Sequence, residues 1–451
     1  MKPSDEIKLK IESFDVNGYG VAKYENKVVF VMGAMEGEEV IAKIVNVHKK
    51  YAFAETVSIL TKSKDRIEPK CPYYEYCGGC DMMHMTYQCE TNIKHNKVSQ
   101  TLKSVIRRDF NVSNVITNDK IFGYRNKVMI PFMKDEEDGV LYGFYEKKSH
   151  NIVSIDKCLI SNDLTNEITG FVCKYLNVMN VSIYNEEKHE GLFKELMIRY
   201  TALNEYMVVL VTTRDYDFSR LVNYLTDMYP QIKSIYLNIN SDKTNVVLSN
   251  TYKLIYGKKT ITEDILGLKF NVSPASFMQV NHDQCEKLYQ IALELANLNN
   301  TMNVIDAYCG MGSITLNIAR KVNKVYGIEV VEDAIKNANE NKLLNNIDNA
   351  HFICGKCEDE IVKLVNKEKI DVIFFDPPRK GCDQKFLDTV IKMQIPKIIY
   401  ISCGVSSLAR DLKYLLEQGY EINNIIPVDL FSCTNNIEVV TILTLKNTQN
   451  K

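Results

Sequence analysis

The sequence of 451 residues lacks any long apolar run; the longest, Val28 to Met35, is broken by Gly33. A membrane span needs about 20 consecutive apolar residues, so none is expected. Nor does the chain open like a secretory signal, because Met1-Lys2-Pro3-Ser4-Asp5-Glu6 puts acids where such a signal is hydrophobic. Internal repeats and low-complexity tracts are missing, which argues against solenoids and disordered segments. Neither sign of charge is in excess. With 55 Lys and Arg against 57 Asp and Glu, the net charge is −2, and no global field draws the chain onto nucleic acid. A cytoplasmic globular protein with no membrane partner is the expectation.

At about 150 residues per domain, the length implies about three domains. Hydrophobic residues make up 45% and charged residues 25%, the proportions of a chain that buries a full core. Thirteen cysteines in a reducing compartment are not a disulfide frame. Isolated ones read as small core residues, whereas clustered ones point to metal or catalytic chemistry. Between Lys94 and Lys134 the chain holds nine Lys or Arg against Asp109 and Asp119. A solvated helix face and a phosphate-binding surface would both look like this.

Short alternating stretches (Ile7 to Ile11, Val28 to Val31, Val40 to Ala42, Ala54 to Val57) with turns at Asn17-Gly18 and Glu36-Gly37 predict a small β-barrel of about five strands. A charged linker, Lys62 to Lys70, ends it, and a cysteine cluster and a polar helix over Met85 to Arg108 follow. Residues 121 to 268 mix strands with a helix near Phe218 to Met228, an α+β pattern. After Val272, strands alternate with helices, the signature of a doubly wound, mostly parallel Rossmann-like sheet. The last two strand segments, near Ile422 to Val428 and Val439 to Leu445, have no helix between them and should pair antiparallel at one edge. The expected units are 1–62 (barrel), 63–84 with 120–268 (central α+β), and 85–119 with 269–451 (C-terminal α/β).

Asp306-Ala307-Tyr308-Cys309-Gly310-Met311-Gly312 closes the first strand of that sheet and opens a helix. Glycines there let a ligand approach the backbone, and the helix start favours a carboxylate. The third glycine of a dinucleotide site is missing. Glu329 ends the next strand, where an acid accepts the two ribose hydroxyls of an adenosyl group, so S-adenosylmethionine fits better than a dinucleotide. Asp376-Pro377-Pro378-Arg379 follows an apolar strand at the carboxyl edge of the sheet, where ligands bind.

Cys403 stands between a strand and a helix that Ser406 or Ser407 could cap; the positive helix end should lower its thiol pKa. A methyltransferase acting on pyrimidine C5 has use for such a thiolate. Addition at C6 makes C5 nucleophilic, and a general base then removes the C5 proton so that the cysteine leaves. Glu438, at the start of the final strand, is the candidate base.

Four stretches taken together resemble the RNA uracil-C5 methyltransferases: Ser273 to Asn281, Asp306 to Gly312, Asp376 to Arg379, and Ser402-Cys403 followed by Leu408 to Leu412. The likeness runs over nearly the whole chain, including an N-terminal barrel of the TRAM type. It implies that Gln279, Tyr308, Glu329 and Asp376 contact S-adenosylmethionine, that Cys403 is the nucleophile and that Glu438 is the base. The barrel and cysteine cluster resemble the branch acting on 23S ribosomal RNA more than the transfer-RNA branch, which is expected to lack both. Two departures concern the loops that position the target: Gly404-Val405 stand where the family usually has Asn-Pro, and Phe431-Ser432-Cys433-Thr434 replaces Phe-Pro-His-Thr. Cys433 could thus be a second thiol near the site or a filler.

Cys71, Cys77 and Cys80 fall within ten residues and predict a metal site, with Gly78 and Gly79 allowing a tight loop. Zinc and a 4Fe–4S cluster both accept four thiolates. The resemblance implies the cluster and makes Cys158 the fourth ligand, with Cys89 as the competitor. A flipped or unpaired uracil must be presented, and Arg125 is the candidate phosphate contact, with Tyr124 beside it to stack on a base. The reading is therefore 5-methyluridine formation in 23S ribosomal RNA; the alternatives are a transfer-RNA enzyme and a non-catalytic RNA-binding protein with a decayed site.

Overall fold

The computed structural model describes residues 1–446 except Glu136, Asp138, Lys148 and Asn245. Its N-terminal unit is a six-stranded sheet ordered Glu6–Lys10, Glu39–Val47, Tyr51–Thr61, Lys27–Met32, Gly20–Tyr24, Ser13–Phe14. The strand beyond the expected five, Ser13–Phe14, has only two residues and is too short to show an alternation. The period-two pattern is literal here. Val29, Val31, Val40, Ala42, Ile44, Ala52 and Ala54 point inward and are buried, and their neighbours point out.

The central unit is a seven-stranded sheet ordered Tyr252–Gly257, Ile232–Ile239, Tyr206–Thr212, Phe193–Tyr200, Lys127–Asp135, Gly139–Tyr145, Ile152–Ser154. All neighbours are antiparallel except Tyr206–Thr212 with Ile232–Ile239, which the helix Ser219–Met228 connects. That helix and Asp163–Val178 cover one face through Ile168, Val172, Leu176, Leu221 and Leu225. On the other face Met197, Met207, Val209 and Val211 share a core with Phe270, Val304 and Phe374 of the C-terminal unit. Burial on both faces explains why Tyr206–Thr212 reads as one unbroken apolar run.

The C-terminal sheet is ordered Ala350–Cys354, Lys324–Glu329, Asn303–Ala307, Val372–Phe375, Lys397–Ser402, Glu438–Leu445, Tyr420–Val428. The first five strands are parallel. As expected, the last two pair antiparallel, but the final strand inserts beside Lys397–Ser402 and leaves Tyr420–Val428 at the edge. Strand order reverses between Asn303–Ala307 and Val372–Phe375, which opens a crevice at their carboxyl ends. Helices cover both faces. His282–Ala296 and Ser313–Ala319 lie on one, and Cys357–Val365, Gln384–Lys392, Val405–Glu417 and the early helix Tyr87–Ile106 on the other. No helix among the described residues is long and apolar enough to cross a membrane.

Phe270 is fully buried where the central and C-terminal units share their core. Phe270→Ala should cost about 3–5 kcal/mol by cavity formation. The check is the midpoint of urea unfolding, and a change within error would mean that the shared core is not a continuous one.

Candidate active site

Three residues of the crevice are aligned by register alone. Ala307 pairs with Ile328 on one side and Phe375 on the other, so the next residues, Tyr308, Glu329 and Asp376, stand at adjacent strand ends. Tyr308, Gly310 and Gly312 all take positive φ (65°, 53° and 83°), which turns the chain sharply into the helix Ser313–Ala319. A Cβ on Gly312 would also sit 2.7 Å from Phe352, so only glycine fits. The Glu329 carboxylate accepts the N–H of Gly310 (3.3 Å), Val330 (2.7 Å) and Val331 (3.0 Å), which fixes its orientation toward the crevice mouth.

Asp306 is buried, and Thr315 donates its hydroxyl to the carboxylate. Burial pushes the Asp306 carboxyl up to about 7, and burial followed by the charge of Asp306 pushes Asp376 up to about 7 as well. Two carboxyls raised in this way, Asp306 buried and Asp376 half-buried, fit a cationic ligand such as a sulfonium bearing an ammonium group. Gln279 is buried on the loop before helix His282–Ala296, its carbonyl taking the amide of Asn126 at 3.0 Å. Arg199, wholly buried on the central sheet, holds that loop by donating to the carbonyls of Ser273 and Ser276, both at 2.7 Å. Asp306 acts here beyond its place in the motif. Arg199 lay hidden in the apolar strand Phe193–Tyr200, where the sequence carries no signal for it.

Register also brings Cys403 to Glu438. Ser402 pairs with Val439 in the antiparallel ladder, so the residues just beyond, Cys403 and Glu438, face each other at the sheet edge. Glu438 is buried, and its Oε2 has no hydrogen-bond partner among the described residues. Burial, and then Asp376, raise its carboxyl well above the ordinary range, while Arg379 opposes them. The helix after Cys403 differs from expectation. It starts at Val405 with Gly404 as a bare cap, and Ser407 instead donates to the carbonyls of Arg379 (2.8 Å) and Gly404 (2.9 Å). The Cys403 thiol is not lowered either. Burial, Glu438 and Asp376 push it up to about 11, against the pull of Arg379. A half-buried thiol beside two acids stays protonated at neutral pH, and the helix end does not outweigh them.

Cys71, Cys77, Cys80 and Cys158 are half-buried and line one cavity of about 450 Å³ with Arg125, Lys127 and Phe277. Each thiol lies within electrostatic reach of the other three. Asn166 pins Cys158 by accepting its N–H (2.9 Å) and donating to its carbonyl (3.1 Å). Among the described residues no three His, Cys, Asp or Glu are gathered closely enough for one metal ion. Four thiols around one cavity are a donor set that zinc and a 4Fe–4S cluster both accept. Cys89 is elsewhere, packed with Met35, Met82, Met85 and Ile93. Cys433 packs on the cysteine side, with Met83, Tyr124, Cys71, Cys80 and Cys158.

The basic stretch is not one surface. Lys94 is fully buried, and Lys97 donates to the carbonyl of Asn435 at 2.7 Å. Tyr124 is buried with its hydroxyl on the Ser432 carbonyl (2.9 Å), so it cannot stack on a base. Arg125 is half-buried, its Nε on the Lys127 carbonyl (3.1 Å) and its backbone bridged to Ser161 and Asn281. Phe277, by contrast, is 72% exposed.

The chain matches the family described as tRNA (Uracil-5-)-methyltransferase over residues 86–446 and the TRAM domain over residues 3–57. It is 39% identical to a protein of Clostridium tetani described as an uncharacterized RNA methyltransferase, over 98% of this chain and 97% of the relative. A protein of Halalkalibacterium halodurans, also described as an RNA methyltransferase, is 36% identical, with 98% of each covered. The crystal structure of Pyrococcus abyssi tRNA (uracil-54, C5)-methyltransferase with S-adenosyl-L-homocysteine superposes with a TM-score of 0.77 at 25% identity, covering 97% of this chain and 99% of that one. Because a transfer-RNA enzyme spans nearly the whole chain, barrel included, the barrel does not separate ribosomal from transfer-RNA substrates.

Alkylation of Cys403 by iodoacetamide, followed by peptide mass spectrometry, should be slow at neutral pH and rise toward about pH 11. Glu438→Gln removes a charge that raises the thiol pKa, so its profile should move to lower pH. Arg379→Ala should move it higher. An unmoved profile in Glu438→Gln would mean that the two groups do not face each other.

Proposed function

Because the chain belongs to the tRNA (uracil-5-)-methyltransferase family, we propose that it forms 5-methyluridine in 23S ribosomal RNA through a covalent adduct between Cys403 and uracil C6. S-adenosylmethionine is the methyl donor, in keeping with the family and with the buried acids of the crevice. The observation that carries the reading is the register that sets Cys403 against Glu438, whose buried carboxylate oxygen awaits a partner.

The electrostatics order the steps. Thiolate and carboxylate side by side repel, so the resting pair favours one proton over none. As sulfur adds to C6, the thiol proton passes by way of Glu438 to water and the negative charge settles on the uracil enolate; C5 then takes the methyl group from the donor sulfonium, which leaves as a neutral thioether. Cys403 is then itself a neutral thioether, and nothing on it opposes ionisation of Glu438. The carboxylate removes the C5 proton, the C5–C6 double bond reforms, and the thiolate departs. Asp376 stands between the two halves, at the end of the strand beside that of Cys403.

Cys71, Cys77, Cys80 and Cys158 would hold a 4Fe–4S cluster, which supplies a rigid cross-link and takes no part in the methyl transfer. RNA would be held at Arg125 and on the outer barrel face. There Phe30, His48, Tyr51 and Phe53 form a ring cluster, with His48 stacked on Tyr51 at 4.5 Å and Lys49 and Lys50 exposed beside them. Rings flanked by cations suit unpaired bases. The ribosomal substrate rests on the resemblance of the cysteine cluster to that branch; a transfer-RNA substrate is the second reading, favoured by the likeness to the Pyrococcus enzyme.

Methyl transfer to unmodified 23S ribosomal RNA and transfer RNA, with the product nucleoside identified by mass spectrometry, tests the reading. 5-Methyluridine in the ribosomal RNA alone is the expected result. Product in transfer RNA alone would select the second reading, and none in either would favour a non-catalytic RNA-binding protein. Cys403→Ala should abolish crosslinking to 5-fluorouridine RNA, while Glu438→Gln should leave a methylated covalent complex with ordinary RNA. Tyr51→Ala should weaken RNA binding by about 1–3 kcal/mol, the worth of one stacked base, as a rise in KM with kcat kept. Unchanged affinity would remove the barrel face from the RNA path.

A further inference from the structure

The loop 429–437 joins the two antiparallel edge strands and delivers Glu438, yet it is buried like core. Asp429, Leu430, Ser432, Cys433, Thr434 and Ile437 are all shielded from solvent. Loops ordinarily keep to the surface because an interior leaves their peptide groups unpaired. Here the partners arrive from distant parts of the chain. The Leu430 carbonyl accepts from Asn281 Nδ2 (3.1 Å), that of Phe431 from Lys94 Nζ (3.2 Å), and that of Ser432 from the Tyr124 hydroxyl (2.9 Å). The Cys433 carbonyl takes two N–H groups, from Asp81 (2.9 Å) and Met82 (3.0 Å).

Lys94 is the centre of the opposite side. Its ammonium, fully buried on helix Tyr87–Ile106, also donates to Asp429 Oδ1 (2.6 Å) and Glu90 Oε1 (2.7 Å), and that same Glu90 oxygen accepts the Cys433 N–H (2.8 Å). A buried ion pair adds little net stability, because desolvation cancels most of its attraction, but it specifies one arrangement of its partners. Cys433 sits at φ 68°, a conformation that costs a non-glycine residue energy and persists only where its surroundings enforce it.

We propose that Lys94 on one side and the Asp81 and Met82 amides on the other clamp this loop so that the Glu438 carboxylate is aimed at the target base, with the cysteine site setting the second jaw through Cys80, the residue before Asp81. The inference rests on the assignment of Cys403 and Glu438 above. Lys94 is then a positioning residue for proton removal alone. Cys403 lies outside the loop, at the end of a different strand, Lys397–Ser402. Filling the cysteine site and aligning the base become one event, so an emptied site stalls the enzyme after methylation and before release.

The test uses the full chain and a 23S ribosomal RNA transcript, with Lys94→Met, the milder Lys97→Met at the outer end of the loop, and the metal-depleted wild type. Turnover should fall by about 100-fold in Lys94→Met and in the metal-depleted enzyme, the scale of a one-ångström misplacement, and by less in Lys97→Met. Trapping by 5-fluorouridine RNA should stay within about twofold. A methylated, denaturation-stable adduct should build up on ordinary RNA, as in Glu438→Gln. Hydrogen exchange of amides 430–437, read without RNA, should speed up on metal removal. Trapping that falls in step with turnover, or loop amides as protected after metal removal as before, would overturn the clamp. Failure of the wild type itself to be trapped by 5-fluorouridine RNA would instead refute the covalent reading on which it rests.

Discussion

The insertion of the last strand between its predecessors is the constraint on which the rest of the structure depends. Glu438–Leu445 runs antiparallel between Lys397–Ser402 and Tyr420–Val428, so its first residue lies at the end of the sheet where the parallel strands finish. Had it run parallel, Glu438 would emerge at the opposite edge, a full strand length from Cys403. One hydrogen-bonded ladder therefore joins two groups 35 residues apart in sequence, and the ladder needs no side-chain contact to do so. The same economy aligns Tyr308, Glu329 and Asp376 at the carboxyl ends of three adjacent parallel strands.

Placing acids this way costs solvation, and the site shows where that cost falls. Asp306, Asp376 and Glu438 all carry raised pKa values with burial as the largest cause. At Glu438 and Cys403 the opposing positive charge comes from Arg379, on the rigid Asp-Pro-Pro-Arg loop. The resting site is thus short of positive charge, and a cationic methyl donor relieves it on binding. The same deficit keeps the Cys403 thiol protonated at neutral pH.

Much of this was legible because the signals were local. Alternation marked the barrel, the strand–helix rhythm marked the parallel sheet, and Gly310 and Gly312 marked a turn of positive φ, at whose second glycine a side chain would be blocked. What escaped was long-range. Lys94 sits in a run of basic residues and reads as a solvated cation. Its partner Asp429 is 335 positions away, and only the packing of helix Tyr87–Ile106 on the sheet brings them together. Tyr124 looked like an exposed ring beside Arg125, and instead its hydroxyl serves a buried carbonyl. The thiol pKa was misjudged for the same reason: the helix start is visible in sequence, whereas the two acids that outweigh it become neighbours only on folding.

The departures from the family pattern at Phe431 to Thr434 take on a different meaning in this light. A histidine in such a loop would be held partly by its own ring, whereas Ser432 and Cys433 carry short side chains and leave the main chain to be fixed. The Ser432 hydroxyl donates to Asp429 Oδ2 (2.9 Å) and accepts from Asn118 Nδ2 (3.2 Å), so it completes the network around the buried ammonium. With less side chain to anchor it, the loop is anchored through its carbonyls, and the donors come from the helix Tyr87–Ile106, the segment after Cys80 and the entry to the central sheet. With Asn281 donating to the Leu430 carbonyl, four regions of the chain thus meet on one short loop, and the orientation of the residue that ends it, Glu438, is a property of their assembly as a whole.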